Sequence, residues 1–285
     1  MSTCFYIGTR ERMLEVRAPS VTIPSSKTGW SSELPFLNGG TSLRRSTAAH
    51  KRYEMTWNLL DRDEARKILD LADRLYGTGN IYFHDPLTAD RNVLPQWWAS
   101  PFQGLYDGLP LNGGNDRGAI VATPPNSLDF PVQSIRYDTA GLSSRSVWVP
   151  IPPGHTAHIG AYGANGTGGT VVATPTISAT ANGTPITLTL MDVTSDSSRF
   201  NESVAASSGV NGVTISLGGS GTLTLNGLMV QVLKDGVAPQ PGGFISGQGN
   251  SGCQFVSQPE YTPYSAALDQ VGVTAELIET GGWSQ

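Results

Sequence analysis

Between Lys51 and Leu59 the chain alternates without a break, with Arg52, Glu54, Thr56 and Asn58 in one set and Tyr53, Met55, Trp57 and Leu59 in the other. A period of two puts the second set on one face of a β-strand. The period then changes. Asp61 and Glu64 are spaced as an N-cap and the third residue of a helix, the Asp variant of a capping box, with further acids in the first turn. Ala65, Ile68, Leu69, Ala72 and Leu75 recur at helical spacing, and Gly77 stands where a helix would stop. Asn80-Ile81-Tyr82-Phe83-His84 reads as a second strand and runs into Asp85-Pro86. The pattern predicts strand, amphipathic helix and strand, with Tyr53, Met55 and Trp57 packed against Ile68, Leu69 and Leu75.

Upstream, Cys4-Phe5-Tyr6-Ile7 and Met13-Leu14-Glu15-Val16 are strand-like around a charged turn. Residues 18–50 are rich in Pro, Gly and Ser, include Arg44-Arg45, and predict a long extended loop. A loop of that length in a compact domain usually has a function or lies against a partner. A Gly-rich connection covers 104–118. From Asn126 onward no helical period is found. Candidate strands are Phe130–Tyr137, Arg145–Ile151, Thr156–Tyr162, Thr170–Thr176, Pro185–Met191, Val213–Leu217, Thr222–Val232 and Val271–Ile278. This many short strands with Gly, Asn and Pro turns predicts a β-sandwich or jelly roll. Pro150, Pro152 and Pro153 suit an edge strand. The alternation in Val271–Leu277 predicts a final strand that belongs to the fold.

Composition sharpens the division. Charged residues are 14% of the 285, against roughly 25% in an ordinary soluble domain, and 34 are glycine, which favours short strands and tight turns. Residues 1–125 carry 14 of the 18 Lys and Arg and are nearly neutral, whereas 126–285 hold 4 against 10 acids. This shift, beside Pro124-Pro125, predicts two domains, 1–125 and 126–285. Cys4 and Cys253 then fall in different domains, which excludes a disulfide scaffold. Thr9-Arg10-Glu11-Arg12 interrupts any apolar leader, and no run approaches the ~18 apolar residues of a membrane helix. Synthesis in the cytoplasm and no membrane span are expected. The net charge of −5 argues against a nucleic-acid binder.

No motif points to catalysis. His155 and His158 stand three apart, so on a strand they face opposite sides and cannot chelate one ion. Asp107, Asn112, Asn115 and Asp116 lack the spacing of a calcium loop. The glycine-dense stretches 163–169 and 242–252 lack the context of a phosphate cradle and read as flexible loops. There is no Gly-x-Ser-x-Gly elbow, Cys253 has no neighbouring base, and Asp192 and Asp196 read as a turn. No catalytic residue, metal or cofactor is expected. Trp97-Trp98 place adjacent indoles on opposite sides of an extended chain, one of them a candidate for a subunit contact. With Val147, Val149 and Ile151 inward, Trp148 faces outward as a candidate sugar platform.

The strand–helix–strand order over 51–84, followed by Asp85-Pro86 and Asn92-Val93-Leu94-Pro95-Gln96-Trp97-Trp98-Ala99, resembles the N-terminal belt domain of the distal tail proteins of long-tailed bacteriophages, especially minor tail proteins of actinobacterial phages. The resemblance implies a tail-tube-like β-sandwich with a flanking helix over 1–125. It implies a homo-hexameric ring at the distal end of the tail, with the tail tube protein above and tail-tip proteins below. DNA would pass through the ring's channel without specific binding. The second half resembles the galectin-like or jelly-roll carbohydrate-binding modules that such proteins append, with a host cell-wall glycan as the implied further partner. Arg44, Arg45, Trp97 and Trp98 are the candidate interface residues and Trp148 the candidate glycan contact. The alternative is a secreted or surface carbohydrate-binding protein or carbohydrate-active enzyme.

Overall fold

The alternating segment forms β6 (His50–Asp61), and helix α1 (Arg62–Ala72) follows it without a loop. Tyr53, Met55 and Trp57 are buried, as are Ala65, Ile68 and Leu71 of the helix. The computed structural model describes residues 4–20, 25–28, 31–35, 41–45, 50–84, 91–99, 118–122, 133–138, 146–165, 168–177, 181–191, 200, 202–206, 209–239, 244–245, 247–250, 252–265 and 269–280. Around β6 lie β1 (Cys4–Gly8), β2 (Met13–Arg17), β3 (Ser25–Thr28) and β7 (Tyr82–His84). From the far end of the chain come β19 (Cys253–Phe255), β20 (Glu260–Ser265) and β21 (Gln270–Glu279). One sheet has the order β2-β1-β7 and the other β19-β21-β6-β3, with β20 also on β21. An Ile81–Cys253 bridge joins the two. Phe5 is stacked on Phe83 at 5.7 Å, and Tyr53 meets Phe83 edge-on at 4.9 Å, so aromatic rings fill the first core.

Three local expectations change. Leu59 is half exposed and Leu60 buried, because Val271 faces Leu60 while Val273 faces Trp57, which leaves two residues of β6 opposite one of β21. That β-bulge shifts the alternation by one. The helix turns Leu71 inward and leaves Leu75 exposed, since it stops at Ala72. Arg74 takes the left-handed conformation (φ 61°), with Leu75 N–H donating to Asp70 O and Arg74 N–H to Leu71 O. This is a Schellman stop built on Arg, ahead of the glycine that was expected to end the helix. The capping box does not form: Asp61 makes no side-chain cap, and Glu64 Oε1 accepts instead from the Arg17 N–H.

The predicted loop over 18–50 also contains strands. β3 extends the first core's sheet beside β6, and β4 (Ser31–Pro35) pairs with β5 (Thr41–Arg45) as a hairpin.

The second core is a β-sandwich. One sheet is β10 (Ser146–Pro150), β17 (Val210–Gly219), β12 (Gly169–Ile177) and β13 (Ala181–Asn182), with β14 (Ile186–Leu188) on β12. The other is β15 (Leu190–Met191), β11 (His155–Asn165), β18 (Thr222–Lys234), β9 (Gln133–Asp138) and β8 (Gly118–Ala122), with β16 (Glu202–Ala205) on β11. Val147, Val149, Val171, Val213 and Ile215 from the first sheet share one cluster with Ala157, Ile159, Leu225, Val230 and Val232 from the second. β10 ends its sheet, as its prolines predict. The chain is mainly β, as expected.

The two cores do not divide at residue 125. β21 runs antiparallel to β6 from Gln270 opposite Asp61 to Ile278 opposite Arg52. Cys253, Val271, Val273, Ala275 and Leu277 are therefore part of the first core. Conversely, Leu94, Trp98 and Ala99 are buried in the second core, and β8 pairs with β9 there. The second core is an insertion within the first. Charge composition reports what faces water, so it could not reveal a strand that returns across the boundary.

Trp57 is 1% exposed, and its Nε1 donates to Arg17 O at 2.7 Å. Trp57→Ala is expected to destabilise the chain by about 3–5 kcal/mol in chemical denaturation. An unchanged midpoint would remove Trp57 from the core.

Candidate functional site

Of the site residues predicted from sequence, Trp148 lies at the junction between the two cores and Trp98 is buried in the second core. Along β18, β9 pairs only with Thr222–Leu225. Residues 92–94 take up the edge beyond. Val93 N–H donates to Val230 O at 2.9 Å. Asn92 Oδ1 accepts from the Val230 N–H at 3.1 Å and from the Leu94 N–H at 3.3 Å. Its Nδ2 donates to Leu228 O at 2.8 Å and to Ile245 O at 3.0 Å. Asn92 is fully buried, and each of its polar atoms has two partners.

On the other side of 92–94 lies the segment 247–249. Gln248 N–H donates to Asn92 O at 2.7 Å and Gly249 N–H to Leu94 O at 3.0 Å. Glycine is required by this approach: a Cβ on Gly249 would sit 1.6 Å from Val93 O, and one on Gly247 2.4 Å from Leu94 O. The glycines expected to make a flexible loop instead let two chain crossings touch. Lys51 of β6 completes the tie. Its Nζ donates to Gln248 O at 3.0 Å and Gly249 O at 2.7 Å, and its N–H donates to Glu279 Oε2 at 3.2 Å. Lys51 and Glu279 are both buried. Beside them, burial and the Glu279 charge raise the Cys253 thiol well above its usual range, with Lys51 opposing. That thiol stays protonated and is a poor nucleophile.

Trp148 is not a sugar platform. Val147, Val149 and Ile151 do point into the sandwich, so Trp148 lies on the outer face as expected, yet it is only 1% exposed. The first core covers it. Tyr82 meets the indole edge-on at 4.7 Å, and the Arg10 guanidinium lies 5.9 Å from the indole and 5.6 Å from the Tyr82 ring. Nε1 donates to Thr176 Oγ1 at 3.1 Å, and Gly212 lies so close that a Cβ there would be 2.3 Å from the indole. Asn211 Nδ2 donates to Arg10 O at 2.7 Å, which adds a polar contact across the same seam.

Trp98 is likewise unavailable to a second subunit, because it is buried in the second core. It sits in the short helical turn α2 (Gln96–Ala99) and not in the extended chain that was expected. The side chains of Trp97, Arg44 and Arg45 lie outside the described residues, as do 107–116 and Asp192 and Asp196. Arg44 and Arg45 stand at the end of the β4–β5 hairpin, opposite Ser32 and Ser31.

His155 and His158 separate as predicted: Ala157 and Ile159 face the core, and the His158 ring meets Phe200 at 6.5 Å on the other side of the strand. Sequence spacing could not show that His155 meets His84, at 5.8 Å between ring centroids. Burial first, and the neighbouring His155 second, push His84 down to about 3, so it is neutral. Burial also lowers His158, and burial with the Glu15 charge raises Tyr6 to about 12.

A cleft of about 80 Å³ beyond the end of α1, lined by Leu71, Arg74, Gly79, Ile81, Gln254 and Phe255, is far below the roughly 300–1,000 Å³ of ligand pockets. Among the described residues no group of three or more His, Cys, Asp or Glu is placed to hold a metal. No helix among them is long and apolar enough to cross a membrane. No family model, curated protein or solved structure matches the chain.

The crossing is open to direct test. Asn92→Ala strands several buried backbone groups at roughly 1–3 kcal/mol each. It should lower stability by about 3 kcal/mol in denaturant titration. Gly249→Ala should also unfold the chain more easily, whereas Gly218→Ala, whose Cβ meets nothing within 4 Å, should melt like the parent. Equal melting of all three variants would refute the assignment.

Proposed function

We propose that this chain is a structural virion protein of a phage tail tip. It would form the distal hub whose hexameric ring joins the tail tube to the tip proteins around the DNA channel. The observation that carries the proposal is the β4–β5 hairpin, which lies in the chain between β3 and β6 of the first core: among the described residues its strands pair only with each other. An isolated two-stranded hairpin is marginal in water, so this one needs a surface to lie on. A neighbouring copy supplies such a surface in a closed ring of heterologous contacts. Arg44 and Arg45 at the hairpin's end are suited to pairing with carboxylates of that copy. The net charge of −5 fits a channel through which DNA slides without sticking.

The insertion topology supports the same proposal. A unit spliced into the first core is displayed outside a ring without adding a chain end to the ring's own sheets. The carbohydrate-binding alternative loses the residue that favoured it, since Trp148 is covered by Arg10 and Tyr82. The outer unit is accordingly assigned a spacer role in the tip.

Mass photometry should find a species of about 180 kDa, six times 30.1 kDa. Replacing residues 31–45 with a short Gly-Ser linker spares β3, which pairs with β6. That variant should remain folded by circular dichroism and run as a monomer. A parent that stays monomeric at every concentration would refute the ring, and hexamers of the hairpin-less variant would refute the hairpin's role.

A further inference from the structure

His84 and His155 come from different cores and meet at the seam. His84 ends β7 in the first core, and His155 opens β11 in the second. Their ring centroids are 5.8 Å apart, with the planes inclined at 64°. His84 is only 5% exposed. His155 has one fixed tautomer: its Nδ1 lies 3.0 Å from Pro153 O, and a carbonyl can only accept, so Nδ1 carries the proton. In the neutral ring the lone pair is then on Nε2. A backbone carbonyl holding the far nitrogen is the arrangement that orients metal-binding imidazoles.

We propose that His84 and His155 form a two-imidazole site for a divalent transition cation of the zinc, nickel or copper kind, with water in the remaining positions, stapling the two cores together. Metal–nitrogen bonds of about 2.0–2.1 Å around a tetrahedral ion put two ring centres roughly 5 Å apart, close to the 5.8 Å between these rings. Both rings must be neutral to bind, because a protonated imidazole has no lone pair to give. Imidazole nitrogen selects this class of ion over magnesium or calcium, which prefer oxygen. No group of three or more acidic, His or Cys ligands exists among the described residues, so the protein supplies two ligands and the affinity is modest. The site is independent of the ring: it lies within one chain and binds whether or not the hexamer forms.

The test uses the full chain without a histidine tag, titrated with ZnCl2 and NiCl2 in a calorimeter. One equivalent should bind and raise the melting temperature, while MgCl2 does neither. His155→Ala removes one of the two ligands and should weaken binding by more than the roughly tenfold lost with an outer-shell partner. His158→Ala, on the opposite face of β11, should bind like the parent. With CuCl2, electron paramagnetic resonance should show two nitrogen ligands in the parent and one in His155→Ala. His84→Gln should match His155→Ala, and should it fail to fold, the more accessible His155 variant decides. Zinc and nickel binding that is unchanged in His155→Ala, or undetectable in the parent at millimolar ion, would overturn the proposal.

Discussion

The pairing of β6 with β21 constrains everything else in this molecule. Residues 50–61 cannot bury Tyr53, Met55 and Trp57 until 270–279 lies beside them, because Val273, Ala275 and Leu277 share that core. The first core is therefore assembled from both ends of the chain and closes around some two hundred residues of intervening sequence. Closing so long a loop has an entropic cost, but that cost grows only logarithmically with length, and the paired surface offsets it. Local contacts such as the β1–β2 hairpin and the β6–α1 unit form without it, whereas the β6–β21 contact is the slow, non-local step.

An inserted unit must leave and re-enter its host, and the two crossings here are bonded to each other. Residues 92–94 are bonded to β18 on one side and to 247–249 on the other, while Lys51 ties 247–249 to β6. Hydrogen bonds thus run from the second core's sheet to the first core's sheet through two stretches that would ordinarily be linkers. The arrangement has a requirement of its own. Buried backbone groups at the crossing must all be satisfied, which Asn92 does with two donated and two accepted bonds. A hinge needs loosely bonded backbone, and these crossings are the opposite.

Much of this fold was legible because its elements follow simple periods. The alternation at 51–59 and the spacing from Ala65 to Ile68 name core residues directly, and most predicted strands beyond Asn126 overlap observed ones, although Pro185–Met191 divides into β14 and β15 in opposite sheets. What failed was geometry that periodicity does not encode. One bulge turned Leu59 out and Leu60 in, and an arginine in the left-handed conformation ended the helix before Leu75 could reach the core. The contacts at the junction were invisible for a different reason. His84 and His155 are 71 positions apart, and Lys51 and Gly249 are 198 apart. Nothing local distinguishes a glycine that frees a loop from one that makes room for a neighbouring strand. The alternation in Val271–Leu277 marked the last strand as structural but could not name β6 as its partner.

Trp148 shows how the junction decides what the surface can do. The parity of β10 put the indole outside the sandwich, and an outward tryptophan on a lone module would be a natural stacking surface. The insertion brings the first core down on that face, so the same residue becomes the centre of a seam with Tyr82 against its edge and Arg10 nearby. Arg10, Tyr82 and Trp148 thus use their aromatic and cationic character within the chain. The β4–β5 hairpin is paired with no other strand among the described residues. The proposed assembly contact at the hairpin would leave the seam undisturbed, because the hairpin and the seam use different strands.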